Sequence, residues 1–219
     1  MNLSSRSRVT PRAMIGGAAA LGAVILGTAT QAGKTKGMDR AVRRRVKPKR
    51  HPRVVKLAKG ISDFASPDVH PLVALVASVC VSVARGRPSV APLIASASAS
   101  GIDKAARFLV SQRRPPMAIH HKGHDRFAFP SGHTAAATAI ALATAIELGD
   151  GCSATERVGF YSLAGVWAAA VGWSRLQLDE HWFNDGLGGW SAGIAIAIAS
   201  TAFDDSFSRE TPGPGLPRP

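Results

Sequence analysis

Two histidines, three arginines and a carboxylate stand at spacings that phosphoryl transfer could use. His181 and Asp185 are four residues apart, so on a helix they stack on one face. A carboxylate one turn from an imidazole can accept its Nδ1–H and leave the Nε2 lone pair exposed, which orients and strengthens a nucleophile. Pro130-Ser131-Gly132-His133 puts a Pro–Ser cap at the start of an apolar run, where unpaired backbone N–H groups can hold an anion. His133 could there protonate a leaving oxygen. Arg107, Arg114 and Arg175 can fork onto phosphate oxygens with a geometry that lysine lacks. The set describes a phosphoryl-transfer site that needs no metal and no cofactor: cations and N–H groups for the equatorial oxygens, one histidine to attack, one to protonate.

Whatever positions these groups is mostly apolar. The chain has 219 residues, 46% of them hydrophobic but only 6% aromatic, and a net charge of +13. That length suits one domain, and the apolar content excludes disorder for most of it. Val69–Ala84, Ser89–Ile102, Phe127–Ile146, Val158–Ser174 and Gly186–Phe203 contain no Lys, Arg, Asp or Glu. One soluble helix can be apolar all round by being buried, but five in such a chain leave nothing polar to cover them. Ala, Gly and Ser dominate Ser131–Ile146 and Gly186–Ser200, which suits close helix packing in lipid. The expectation is an all-α, polytopic transmembrane helical bundle of about six spans. Ala13–Gly33, uncharged and preceded by Arg6, Arg8 and Arg12, is a first span or a secretory signal. If it does not span, five remain.

Four stretches follow: 1–33, a basic segment with the first hydrophobic helix or signal; 34–68, a basic interfacial segment; 69–203, the membrane core; and 204–219, a disordered Pro-rich tail. Lys34–Lys59 holds 12 cations and one acid, and reads as a solvated face attracted to anionic headgroups. With no interleaved aromatics it does not call for nucleic acid. Val54, Val55, Leu57, Ala58, Ile61 and Phe64 then suggest an amphipathic helix lying on the interface. Cys80 and Cys152, too few for a disulfide framework, read as small buried hydrophobes.

Ser174-Arg175, five residues, His181, three residues, Asp185 resembles the third signature of the type 2 phosphatidic acid phosphatase (lipid phosphate phosphatase) superfamily. Pro130-Ser131-Gly132-His133 resembles its second. Arg107, six residues, Arg114-Pro115 resembles its first, with Arg107 where the family has Lys. The resemblance covers about Val69 to Phe203. It implies a metal-independent membrane phosphatase acting on a lipid phosphate or polyprenyl diphosphate through a phosphohistidine. His181 would be the nucleophile, Asp185 its orienter and His133 the acid, with Arg107, Arg114, Ser131, Gly132 and Arg175 binding the phosphate. It also implies six spans in the cell (inner) membrane and a site at the outer face. A catalytically weak or silent lipid-phosphate-binding protein of the same fold is the alternative that Arg107 leaves open. The positive-inside tendency pulls the other way, because an exported site carries Lys34–Lys59 outside with it.

The remaining polar residues have plainer readings. His120, His121, His124 and Asp125 could suggest zinc, but read as an exposed loop. Arg113 is a solvated neighbour of the first signature, and Asp103 and Lys104 read as a local ion pair. Asp179 and Glu180 fall at the rim of the site. Trp167, Trp173, Trp182 and Trp190 read as membrane-interface anchors.

Overall fold

The computed structural model describes residues 10–46, 51–116 and 127–210. Eight helices run through them, as the all-α expectation requires: α1 (Pro11–Gln31), α2 (Lys36–Val46), α3 (Pro52–Phe64), α4 (His70–Arg85), α5 (Ala91–Leu109), α6 (Gly132–Gly149), α7 (Ala154–Gln177) and α8 (Phe183–Glu210). Local signals set their ends. The Thr10 hydroxyl accepts the Ala13 N–H ahead of Pro11 to start α1, and Ser153 with Glu156 forms a capping box on α7. Gly86, at φ +64°, closes α4 in the left-handed conformation.

Helix α6 is the axis of the bundle, buried along most of Thr134–Glu147 and packed on α5, α7 and α8, while α1 lies against α8. Its facing residues are small, so the backbones approach closely. A Cβ at Gly193 would come within 2.7 Å of the Ala135 carbonyl oxygen, so α8 can carry no side chain there. The core is accordingly built of alanine, including Ala74, Ala95, Ala139, Ala143 and Ala197, all at or below 1% exposure. The large apolar side chains point outward instead: Leu72, Val76 and Val79 on α4, Leu163 and Val166 on α7, Phe203 on α8. Small inside and large outside inverts the pattern of a water-soluble core. Two segments, Pro11–Gln31 and Phe183–Phe207, are long and apolar enough to cross a bilayer, and His70–Arg85 is apolar but shorter.

Several expectations are corrected. Helix α5 runs past the uncharged stretch through Asp103 and Arg107 to Leu109, and α8 continues into the stretch assigned to the tail. Cys80 is exposed on α4 rather than buried, and Cys152 is half-buried. Helix α3 is more than an interfacial strip: Ala58 and Ser62 are buried, and it packs against α7. Trp190 is no interface anchor, because its ring lies against Gly172 and its Nε1–H donates to the Ala168 carbonyl at 3.0 Å. Trp167 meets Phe64 edge to face at 5.5 Å. The His120, His121, His124 and Asp125 cluster and Thr211–Pro219 lie outside the described residues.

At the end of α6 remote from Ser131, the Arg85–Pro88 turn is tied by charge. Arg85 pairs with Glu147, which is 1% exposed, and Arg87 lies 2.9 Å from Asp205 and 3.7 Å from Asp204. Removing Arg85 leaves buried Glu147 with the longer Arg87 contact at 3.8 Å and the Ser89 hydroxyl at 3.3 Å, a weaker balance for its charge. Arg85→Ala is therefore expected to destabilise the bundle by ~3 kcal/mol, read as a lower thermal midpoint in detergent, with activity retained at temperatures where it stays folded. An unchanged midpoint would show that Glu147 is compensated from elsewhere.

Candidate active site

Four chain segments meet at the other end of α6. An isolated antiparallel bridge pairs Arg113 with Phe127, and the Ala128 N–H donates to the Gln112 carbonyl at 2.8 Å, which brings the Arg114-Pro115 segment beside Pro130–His133. The Ser131 N–H donates to the Asp185 carbonyl at 2.9 Å, joining the start of α6 to the start of α8. Between α7 and α8 the chain turns sharply at Asp179, whose φ is +59°, so that His181 faces back into the bundle. Motifs remote in sequence thereby share one place.

A cavity of about 360 Å³ opens there, lined by Arg107, Arg114, Gly132, His133 and His181, with Asp103, Lys104, Ser100 and His70 completing the wall. Arg114 Nη1 stands 3.3 Å from His181 Nε2 and donates to the Glu180 carbonyl at 2.9 Å. On the other side of the ring, His181 Nδ1 lies 3.4 Å from Asp185 Oδ2. That is ion-pair distance without the alignment of a hydrogen bond, and Asp185 Oδ2 accepts the Trp182 N–H at 2.7 Å. Burial, reinforced by the positive charge of Arg114, Arg175, His133 and Arg107, holds the His181 imidazole well below the usual histidine range. It is neutral at physiological pH.

Two phosphate-binding candidates do not line the cavity. Arg175 lies behind it, bonded to the Ser62 hydroxyl of α3 and 3.7 Å from Glu180. Ser131 is fully buried and its hydroxyl accepts from Thr134 at 2.9 Å, so it makes no side-chain cap on α6. The first intrahelical bond runs from the Ala135 N–H to the Ser131 carbonyl.

Sequence reasoning missed the carboxylates. Asp103 pairs with Arg107 and not with Lys104, through contacts of 3.1 and 2.6 Å. Its carboxylate also sits 2.8 Å from where a Gly132 Cβ would be. An anion of this chain therefore already stands at the start of α6, as expected of a helix N-terminus. Glu180 is no rim residue: it is buried between Arg114 at 3.2 Å and Arg175 at 3.7 Å. Asp179 is buried too, held by the Arg43 guanidinium at 2.8 and 2.7 Å, and that guanidinium lies 5.8 Å above the Trp182 ring. Asp39 of α2 accepts the Asn184 N–H at 3.0 Å, although its burial raises its pKa. The basic segment thus clamps the His181 loop, and is not merely a face for lipid.

Among known proteins, the chain is 25% identical to phosphatidylglycerophosphatase B of Bacillus subtilis (strain 168) over 191 residues, which are 85% of this chain and 93% of that protein. It is 31% identical to lipid A 1-phosphatase of Porphyromonas gingivalis over 129 residues, 58% of this chain but only 26% of that longer protein. Its fold matches the crystal structure of a transmembrane PAP2-type phosphatidylglycerolphosphate phosphatase from Bacillus subtilis, with a TM-score of 0.76, 23% identity, and coverage of 89% of this chain and 98% of that one. Residues 72–208, more than half of the chain and all three motifs, match the PAP2 superfamily, and the chain belongs to it.

Proposed function

We propose that this PAP2-superfamily hydrolase releases phosphate from a lipid phosphate or polyprenyl diphosphate at the bilayer surface, through a phosphohistidine on His181. The observation that carries the reading is the common cavity of His181, His133, Arg107, Arg114 and Gly132. Arg107 and Arg114, beside the start of α6, take the phosphate oxygens. His181 Nε2, neutral and carrying its lone pair, attacks phosphorus in line, and the P–O bond to the lipid breaks as the leaving oxygen takes a proton from His133. Water, losing a proton to His133, then attacks the phosphohistidine and frees inorganic phosphate. Asp185 stabilises the ring from the Nδ1 side, while Arg175 acts from behind, holding Glu180 and through it Arg114. The relatives named for phosphatidylglycerophosphate and lipid A phosphates support a lipid substrate.

A lipid also suits the surroundings of the cavity. His70, bonded to Ser96 at 2.9 Å, lines both this polar pocket and an apolar groove of about 470 Å³ between α4, α6 and α7. The phosphate is placed in the first and the tail in the second. We read α1 and α4–α8 as six spans of the cell membrane, with α2 and α3 on the site's side and the site at the outer face. Phosphate release from phosphatidate and from a polyprenyl diphosphate, measured in detergent with excess chelator, tests the reading. Turnover is expected to survive the chelator, and an alkaline quench of labelled substrate is expected to trap alkali-stable, acid-labile label on the protein. Turnover that stops on chelation, or that leaves no such label, overturns it.

A further inference from the structure

We propose that a second lipid site, for an anionic phospholipid of the surrounding bilayer, lies on the α1 side of the bundle, separate from the catalytic cavity. A groove of about 510 Å³ runs between α1, α5 and α8, with an apolar wall that includes Val24, Ala106, Leu109 and Ala192. At its upper end Gln31 is shared with a polar pocket of about 440 Å³ that contains Lys36, Arg40 and Arg113. An apolar channel that opens onto three cations has the shape and charge of an acyl chain joined to a phosphate headgroup.

The cations are exposed, and the acid in this lining is occupied elsewhere. Asp39 is 2% exposed and its oxygens accept from Asn184 at 3.0 and 3.4 Å. The pocket also holds an unanswered polar atom: Thr30 is 6% exposed and its Oγ1 has no hydrogen-bond partner. A buried hydroxyl without a partner costs free energy that a headgroup oxygen would recover. Depth agrees as well, because the pocket lies where α1 ends at Gln31, the level at which a chain inserted along the helix would carry its headgroup.

The site touches the catalytic loop without entering it. Trp182, next to His181, lines the pocket, and its Nε1–H donates to the Arg113 carbonyl at 2.8 Å. A headgroup bridging Lys36 and Arg40 to Arg113 fastens α2 to that loop. Anionic lipid is therefore expected to raise turnover even of a substrate that needs no bilayer.

The inference rests on the membrane reading but not on the catalytic one, so binding is measured with His181→Ala protein as well as wild type. Native mass spectrometry from mixed micelles is expected to retain one phosphatidylglycerol per chain in both, with phosphatidylcholine not retained and excess inorganic phosphate not displacing it. Lys36→Glu with Arg40→Glu, both at exposed positions, is expected to weaken retention about tenfold, as is Ala106→Trp, which fills the groove and leaves the cations in place. Turnover of p-nitrophenyl phosphate is expected to rise with phosphatidylglycerol in wild type and not in the charge-reversed protein. Equal retention of the two lipids, displacement by inorganic phosphate, or retention unaffected by both variants overturns the proposal.

Discussion

His181→Ala is expected to lower phosphate release by about four orders of magnitude or more, because it removes the atom proposed to form the covalent intermediate. Arg107 and Arg114 remain, so inorganic phosphate should still bind, and loss of turnover with retained binding separates a missing nucleophile from a collapsed pocket. The same variant carries a stability signature. Burial first, and the surrounding cations second, push the His181 pKa down, so the folded chain binds this proton more weakly than the unfolded one. Above about pH 6.5 both states leave the ring neutral and it has no effect; as pH falls below that, protonation of the unfolded ring draws the chain apart. Wild type should therefore lose more stability between about pH 7 and about pH 5 than His181→Ala does, measured by thermal unfolding in detergent. Release within tenfold of wild type would remove His181 from the mechanism, and identical pH responses would place its pKa in the ordinary range.

The groups that we assign to binding and attack were legible where their relation is local. His181 and Asp185 are one helical turn apart, and Pro130–His133 marks a helix start whatever the rest of the chain does. The fold class was legible for a similar reason, since uncharged runs rich in Ala and Gly leave little but helices packed in lipid. What stayed hidden belongs to elements with no sequence spacing to the motifs. Arg43 and Asp39 of α2 reach the His181 loop from more than a hundred residues away, and α3 supplies Ser62 to Arg175. Nothing in a run of twelve cations says which one turns inward. The Asp103–Arg107 pair was readable, four residues apart on one helix. It was missed because the uncharged run was taken to end at Ile102, whereas the helix carries on to Leu109. Glu180 left a subtler trace, an acid beside His181 in a site that must hold several guanidinium groups together without repulsion.

That repulsion sets the second large effect, at Arg114. Its Nη1 faces the His181 Nε2 lone pair at 3.3 Å and the Glu180 carboxylate at 3.2 Å. The guanidinium therefore faces the nitrogen that we assign to the attack. A bound phosphate offers it two charged oxygens in a bidentate fork in place of one neutral nitrogen. Arg114→Ala should lower kcat/KM by about a thousandfold, the scale of losing one donor to the charge that develops in the transition state. Arg114→Lys keeps the charge but lacks the fork and should recover only part of it. Truncation also leaves Glu180 buried with only Arg175, at 3.7 Å, to balance it, so Arg114→Ala should unfold at lower temperature. Adding Glu180→Gln removes that unbalanced carboxylate and should restore the midpoint without restoring turnover. If the second change recovers both, Arg114 is an anchor for Glu180 and not a ligand of the phosphate.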